Sequence, residues 1–271
     1  MNSQSPETTV PTRAQSTTFV VLTFIISWPL WGAAVHLVES SMLRGLFTIG
    51  GAFGPALAAL AVWRYYEGTF ATVKRQLTRW SVGIRWWLLT LVLPVGIFIA
   101  GLLGASLIGV SIESRTDSAA VSVYPVVLAA SVVLFGGNEE IGWRGLMLPA
   151  LQTSYGALGA SVIVGVVWAL WHAPLFMFSA LNPAELPYVV FVVGIVALSI
   201  LHTLLYHTTG QSVLVVAVFH AGFNATLLWL PESTTNTALT HPYTMIVAVQ
   251  CLVAIGVVVL TRGTLGSREL S

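Results

Sequence analysis

The chain has 271 residues, 56% of them hydrophobic and 8% charged, with 11 Lys and Arg, 10 Asp and Glu and a net charge of +1. A soluble domain is about 25% charged, which for this length means roughly 68 such residues; a polar surface cannot be built from so few, so lipid must surround most of the chain. A near-neutral balance with no basic, aromatic-interleaved patch excludes nucleic acid as a partner, and a single cysteine, Cys251, excludes an internal disulfide or thiolate cluster.

In chain order, residues Met1 to Ser16 are polar and contain Pro6 and Pro11, which reads as a disordered cytosolic tail. Thr17 to Val38 is longer than the roughly 7 to 15 residues of a signal-peptide core, so it is expected to stay as the first helix. Further apolar runs extend from Leu46 to Tyr66, Trp86 to Val110, Val121 to Ala150, Ala157 to Phe178, Pro187 to Tyr206, Ser212 to Leu230 and Pro242 to Leu260. Each approaches the roughly 20 residues that a helix needs to cross the hydrocarbon. The expected architecture is an all-α polytopic membrane helical bundle of about eight transmembrane helices. It reads as one domain over residues 17–262, followed by a cytosolic tail over 263–271. Lys74, Arg75, Arg79 and Arg85 fall between the second and third runs, so that loop is expected on the cytoplasmic side. Both termini then lie inside, and the loops with Glu39, Glu113, Asp117, Glu185 and Glu232 lie outside. Trp80, Trp86, Trp87, Tyr65 and Tyr66 mark the inner aromatic belt. Gly50 and Gly54 form a GxxxG, which favours close helix packing.

The fourth run carries Asn138, Glu139, Glu140 and Arg144 and then turns apolar again. An ionisable residue at the bilayer centre costs about 2.5 to 3.5 kcal/mol on insertion scales, so intramembrane charge points to function. The turn signal Ser154-Tyr155-Gly156 follows the glutamates by about 15 residues of helix, and His172 lies about 16 residues beyond it. A hairpin turning there brings Glu139, Glu140 and His172 to one depth. A helix starting near Gly210 adds His220 and Asn224 at a similar depth, sharing a face at i,i+4. Glu140 and Arg144 are i,i+4 with the acid first, the order that favours an ion pair. Glu139 is rotated about 100° away and is expected to stand unpaired in a water-filled cavity. A carboxylate beside an imidazole can take a proton from water. Asn and His N–H groups can hold the charge that develops on a carbonyl oxygen. Together they suit peptide-bond hydrolysis. His36, His202, His207 and His241 have no acidic partner at a suggestive spacing and read as interfacial or helix-packing residues.

Glu139-Glu140-x-x-x-Arg144, Trp168-x-x-x-His172 and His220-x-x-x-Asn224, in that order, resemble the EExxxR, FxxxH and HxxxN/D pattern of the CPBP family of intramembrane endopeptidases. That family includes type II CAAX prenyl endopeptidases and the bacterial Abi and bacteriocin-processing proteins, and the resemblance covers about residues 120–230. It implies that Glu139 and His172 activate water, that His220 and Asn224 form the oxyanion site, and that Glu140 with Arg144 supports the geometry. Trp168 stands where the family usually has Phe, which implies a reshaped cavity wall with little effect on chemistry. The resemblance implies a peptide or small membrane-associated protein as substrate, CAAX-like for its prenyl-processing members, and the cell membrane of a prokaryote as location. No cofactor is expected; the alternative is a zinc ion on Glu139, His172 and His220. A non-catalytic scaffold or bacteriocin-immunity protein is the competing function.

Overall fold

The computed structural model describes residues 10–37, 40–66, 70–110, 118–178, 181, 186–231 and 241–267. Glu39, Glu113, Asp117, Glu185 and Glu232, and the terminal residues 1–9 and 268–271, lie outside the described residues. The described elements are helices: α1 (Arg13–His36), α2 (Ser41–Ala52), α3 (Gly54–Tyr66), α4 (Ala71–Leu77), α5 (Ile84–Leu107), α6 (Ser118–Leu134), α7 (Glu140–Gly142), α8 (Leu148–Trp171), α9 (Ala173–Met177), α10 (Tyr188–Thr208), α11 (Val213–Thr226) and α12 (Pro242–Thr261). The architecture is an all-α membrane bundle, as its composition requires.

Among the described residues, five helical stretches are long and apolar enough to cross a membrane, and a sixth is obtained if α2 and α3, bent by 42° at their junction, make one span. The expected eight apolar runs all recur as helix, but not as eight full crossings. One reason is that α11 has only 14 residues, about 21 Å of helix against a hydrocarbon core of about 30 Å. The other is that the apolar stretch Ser122–Trp171 is continuous over 50 residues. Straight, it would measure about 75 Å, yet Trp168 reaches back to bond Glu139 at 2.8 Å. It therefore folds back on itself.

Glycines make the fold-back. Gly136 has φ +89°, which side-chain-bearing residues rarely adopt, and it ends α6. A 3-10 turn at Gly137–Glu139, the short α7 and a π-turn at Trp143–Met147 then lead into α8. Gly156, with φ +66° and ψ 178°, breaks α8 at the turn that the sequence marked. The expected span from Val121 to Ala150 is thus interrupted in its middle, at the charged motif. Wide π-turns of this kind recur at functional sites.

The first helix begins at Arg13, earlier than the expected Thr17. The reason is a capping box: Thr12 Oγ1 accepts from the Gln15 N–H, and the Gln15 side chain accepts from the Thr12 N–H. At the other end, Leu265 is fully buried and its carbonyl accepts from His207 at 2.9 Å, so the segment to Ser267 packs against the bundle. α1 packs on α2 and α3 through Ser27, whose hydroxyl donates to the Gly51 carbonyl, and Trp31, whose indole donates to the Thr48 carbonyl. A Cβ at Gly54 would land on the Ser27 hydroxyl and one at Gly51 on the Trp31 indole, whereas Gly50 has room for one, so of the GxxxG pair only Gly54 serves close packing.

α8 packs along α10, and α11 lies among α5, α6 and α10. Between them sits a core rich in tryptophan: Trp31, Trp63, Trp143, Trp168 and Trp171 are all fully buried. The outward faces are equally apolar; Leu91, Ile99 and Leu103 on α5 and Leu252, Ile255 and Val259 on α12 are exposed. Around this bundle the apolar solvent is lipid, while Glu139, Glu140, Arg144, His202 and His220 are buried inside it.

Candidate active site

The chain break after Gly136 delivers the charged motif into the bundle. A Cβ at Gly136 would stand 2.5 Å from both Asn224 Nδ2 and His220 Nε2, so glycine is needed for the close approach as well as for the turn. Asn224 on α11 donates to the Phe135 carbonyl at 3.1 Å, which ties α11 to the end of α6.

Glu140 and Arg144 are both fully buried and form the expected ion pair, with Nη1 2.9 Å from Oε2 and 3.1 Å from Oε1. His220 Nδ1 stands 2.8 Å from Glu140 Oε1. Arg144 also donates through Nη2 to Ser199 Oγ at 2.9 Å, and that hydroxyl donates to the Ser161 carbonyl at 2.7 Å. The guanidinium therefore joins α8 and α10 as well as holding its carboxylate. A buried pair repays its desolvation only when its remaining donors are satisfied, and these contacts supply much of that.

Glu139 does not stand unpaired as expected: its Oε2 accepts the Trp168 indole N–H at 2.8 Å. Trp168 consequently does more than form a cavity wall. Its carbonyl accepts from His172 Nδ1 at 2.9 Å. A carbonyl can only accept, so Nδ1 carries the proton and His172 Nε2 keeps its lone pair. Glu139, His172, His220 and Asn224 all border one small cleft. Phe191, Ile195, Leu198, Phe223 and Ile246 form its apolar sides. Glu139, Trp168, His172, His220 and Asn224 thus come to this cleft and Glu140 with Arg144 to the ion pair bonded to His220, whereas Asn138 does not line it.

Sequence reasoning missed His202. It was read as a packing residue, but it is fully buried with Nε2 4.0 Å from Glu140 Oε1. Its Nδ1 donates to the Leu198 carbonyl at 2.8 Å. The signal was available on α10: Ser199, His202, Thr203 and Tyr206 recur at i, i+3, i+4 and i+7 and form a polar face on an apolar helix. His207, by contrast, bonds Gln152 and the Leu265 carbonyl, and His241 caps α12.

Among the described residues, the donor atoms that lie within 4.8 Å of one another belong to Glu140, His202 and His220. This differs from the set Glu139, His172 and His220 named from the sequence. The group fits a divalent ion poorly. Arg144 already neutralises Glu140 from 2.9 Å, and two positive centres in one buried pocket repel strongly.

Residues 120–226 match the family model described as type II CAAX prenyl endopeptidase Rce1-like. The chain is also similar to CAAX prenyl protease 2 of Methanococcus maripaludis, with 23% identity over 234 residues that cover 80% of this chain and 86% of that protein. The matched segment runs from α6 to the end of α11 and contains Glu139, Trp168, His172, His220 and Asn224 of the cleft. Both comparisons support the resemblance of this chain to the CPBP family of intramembrane endopeptidases.

Proposed function

We propose that the protein is an intramembrane endopeptidase that hydrolyses a peptide bond of a membrane-associated or CAAX-like substrate with water activated by Glu139 and His172. The observation that carries this reading is the convergence of Glu139, His172, His220 and Asn224 on one cleft with apolar sides.

Glu139 has one oxygen held by Trp168, which leaves the other to take a proton from water. His172 Nε2 offers the second acceptor that orients the same water. The water oxygen attacks the scissile carbonyl carbon, and the carbonyl oxygen becomes an oxyanion. Asn224 has an amide N–H beyond the one that it gives to Phe135. His220, with Glu140 on its Nδ1, lines the same cleft and, when it carries a proton on Nε2 as well, donates from it. These two donors stabilise the oxyanion. The proton held by Glu139 then passes to the departing amine as the C–N bond breaks. Glu140, Arg144, Ser199 and Ser161 hold His220 in place. No step uses a metal ion.

The test is cleavage by Glu139→Ala and by His172→Ala. Each should lose about 10²- to 10⁴-fold in rate, the usual contribution of a general base, while its unfolding profile stays that of the wild type. Retained cleavage in Glu139→Ala would refute the proposal.

A further inference from the structure

Trp168 touches three of the four polar groups that the proposed chemistry uses: Glu139, His172 and His220. It is fully buried on α8. Its indole N–H donates to Glu139 Oε2 at 2.8 Å, and its own carbonyl accepts from His172 Nδ1 at 2.9 Å. The Arg144 guanidinium lies over the ring, 5.1 Å from its centroid. The His220 ring meets it edge-on at 4.9 Å. The Arg144 guanidinium and the His220 ring both pack against the indole, whose N–H is aimed at Glu139.

We infer that Trp168 is a positioning residue that sets both members of the Glu139–His172 pair. The kinetic part of this inference rests on the peptidase reading above. A carboxylate turns easily about its last torsion, so a buried one with a free choice divides its time between orientations. The indole N–H fixes Oε2 and thereby presents Oε1 for the water. The backbone carbonyl of the same residue fixes the His172 proton on Nδ1 and leaves the Nε2 lone pair for that water. A phenylalanine at this position would keep the carbonyl and the ring packing but would lose the N–H.

The experiment uses the full chain in detergent with Trp168 replaced by 3-benzothienylalanine, which keeps the shape and puts sulfur in place of the N–H. W168F serves as a second variant. The carboxylate stretching bands of Glu139 are assigned by infrared difference against Glu139→Gln, and kcat and KM are measured separately. Loss of the hydrogen bond should shift the Glu139 bands in both variants. It should lower kcat by about tenfold to a hundredfold, the worth of a bond to a charged group, with KM within about threefold and the unfolding midpoint of the benzothienyl variant unchanged. Unchanged bands would overturn the inference whether or not the protein cleaves peptides. A shifted band with unchanged kcat, or kcat and unfolding midpoint falling together, would overturn the positioning role. A wild type that cleaves nothing would fail the peptidase reading, and the bands would still decide whether Trp168 orients Glu139.

Discussion

Replacing Arg144 with leucine should be among the most destabilising single changes in this bundle. The guanidinium is fully buried and meets Glu140 at 2.9 and 3.1 Å and Ser199 Oγ at 2.9 Å. In R144L, Glu140 would keep His220 but lose its counter-charge in a site without exposure. Breaking a buried pair by removing one partner costs about 3 to 5 kcal/mol. Polar contacts between membrane helices average only about 0.6 kcal/mol, because the unfolded chain in lipid also finds partners. The Ser199 contact therefore adds little, and the loss should lie near the lower figure, about 3 kcal/mol. The double variant Arg144→Leu with Glu140→Leu removes both charges and should recover at least half of that loss, since apolar replacement of a whole buried pair is often neutral. The assay is reversible SDS unfolding in mixed micelles followed by tryptophan fluorescence, with the interaction energy taken from the double-mutant cycle. A cost below about 1 kcal/mol for R144L, or a double variant no more stable than the single one, would refute the claim that the ion pair holds this site together.

Other changes separate the site from its frame. Gly136→Ala forces a side chain into φ +89° and against Asn224 and His220; it should cost about 1 to 3 kcal/mol in the same unfolding assay and reduce cleavage at least tenfold. His202→Ala should slow cleavage about tenfold or more because it removes the second imidazole beside Glu140, 4.0 Å from its carboxylate, whereas His207→Ala, at a histidine tied to Gln152 and Leu265, should leave the cleavage rate within about twofold. Equal effects of the two would contradict the assignment of His202 to the site. Asn224→Asp keeps the size but loses the amide donor, and it should lower kcat by about 10² with little change in KM; a change confined to KM would place Asn224 in substrate binding instead.

The charged motif was legible because membrane burial makes each charge expensive. Glu140 and Arg144 at i,i+4 pair as their spacing requires, and Gly156 and Gly210 turn the chain where helix-depth arithmetic places the turns. What the sequence did not disclose are contacts between residues far apart in the chain whose partners have no periodic relation. Trp168 lies 29 residues from the carboxylate that it bonds, and its N–H was invisible to a reading that treated the ring as a wall. His202 was set aside because its acidic partner lies on another helix, although the polar face that it shares with Ser199 and Thr203 was readable. Eight runs of suitable hydropathy did not mean eight equal crossings, because a run can be broken in its middle by Gly136 and α11 can stop at 14 residues. Hydropathy reports the solvent of a segment and is blind to where its backbone reverses.

The most direct test of the central claim is the rate at which purified protein cleaves a quenched fluorescent peptide library that includes a prenylated CAAX member. Wild type and Glu139→Gln are compared, each with and without a chelator. The account predicts cleavage by the wild type that survives the chelator and falls by at least about 10² in Glu139→Gln. Cleavage that persists in Glu139→Gln, or that is lost with the chelator, would contradict it.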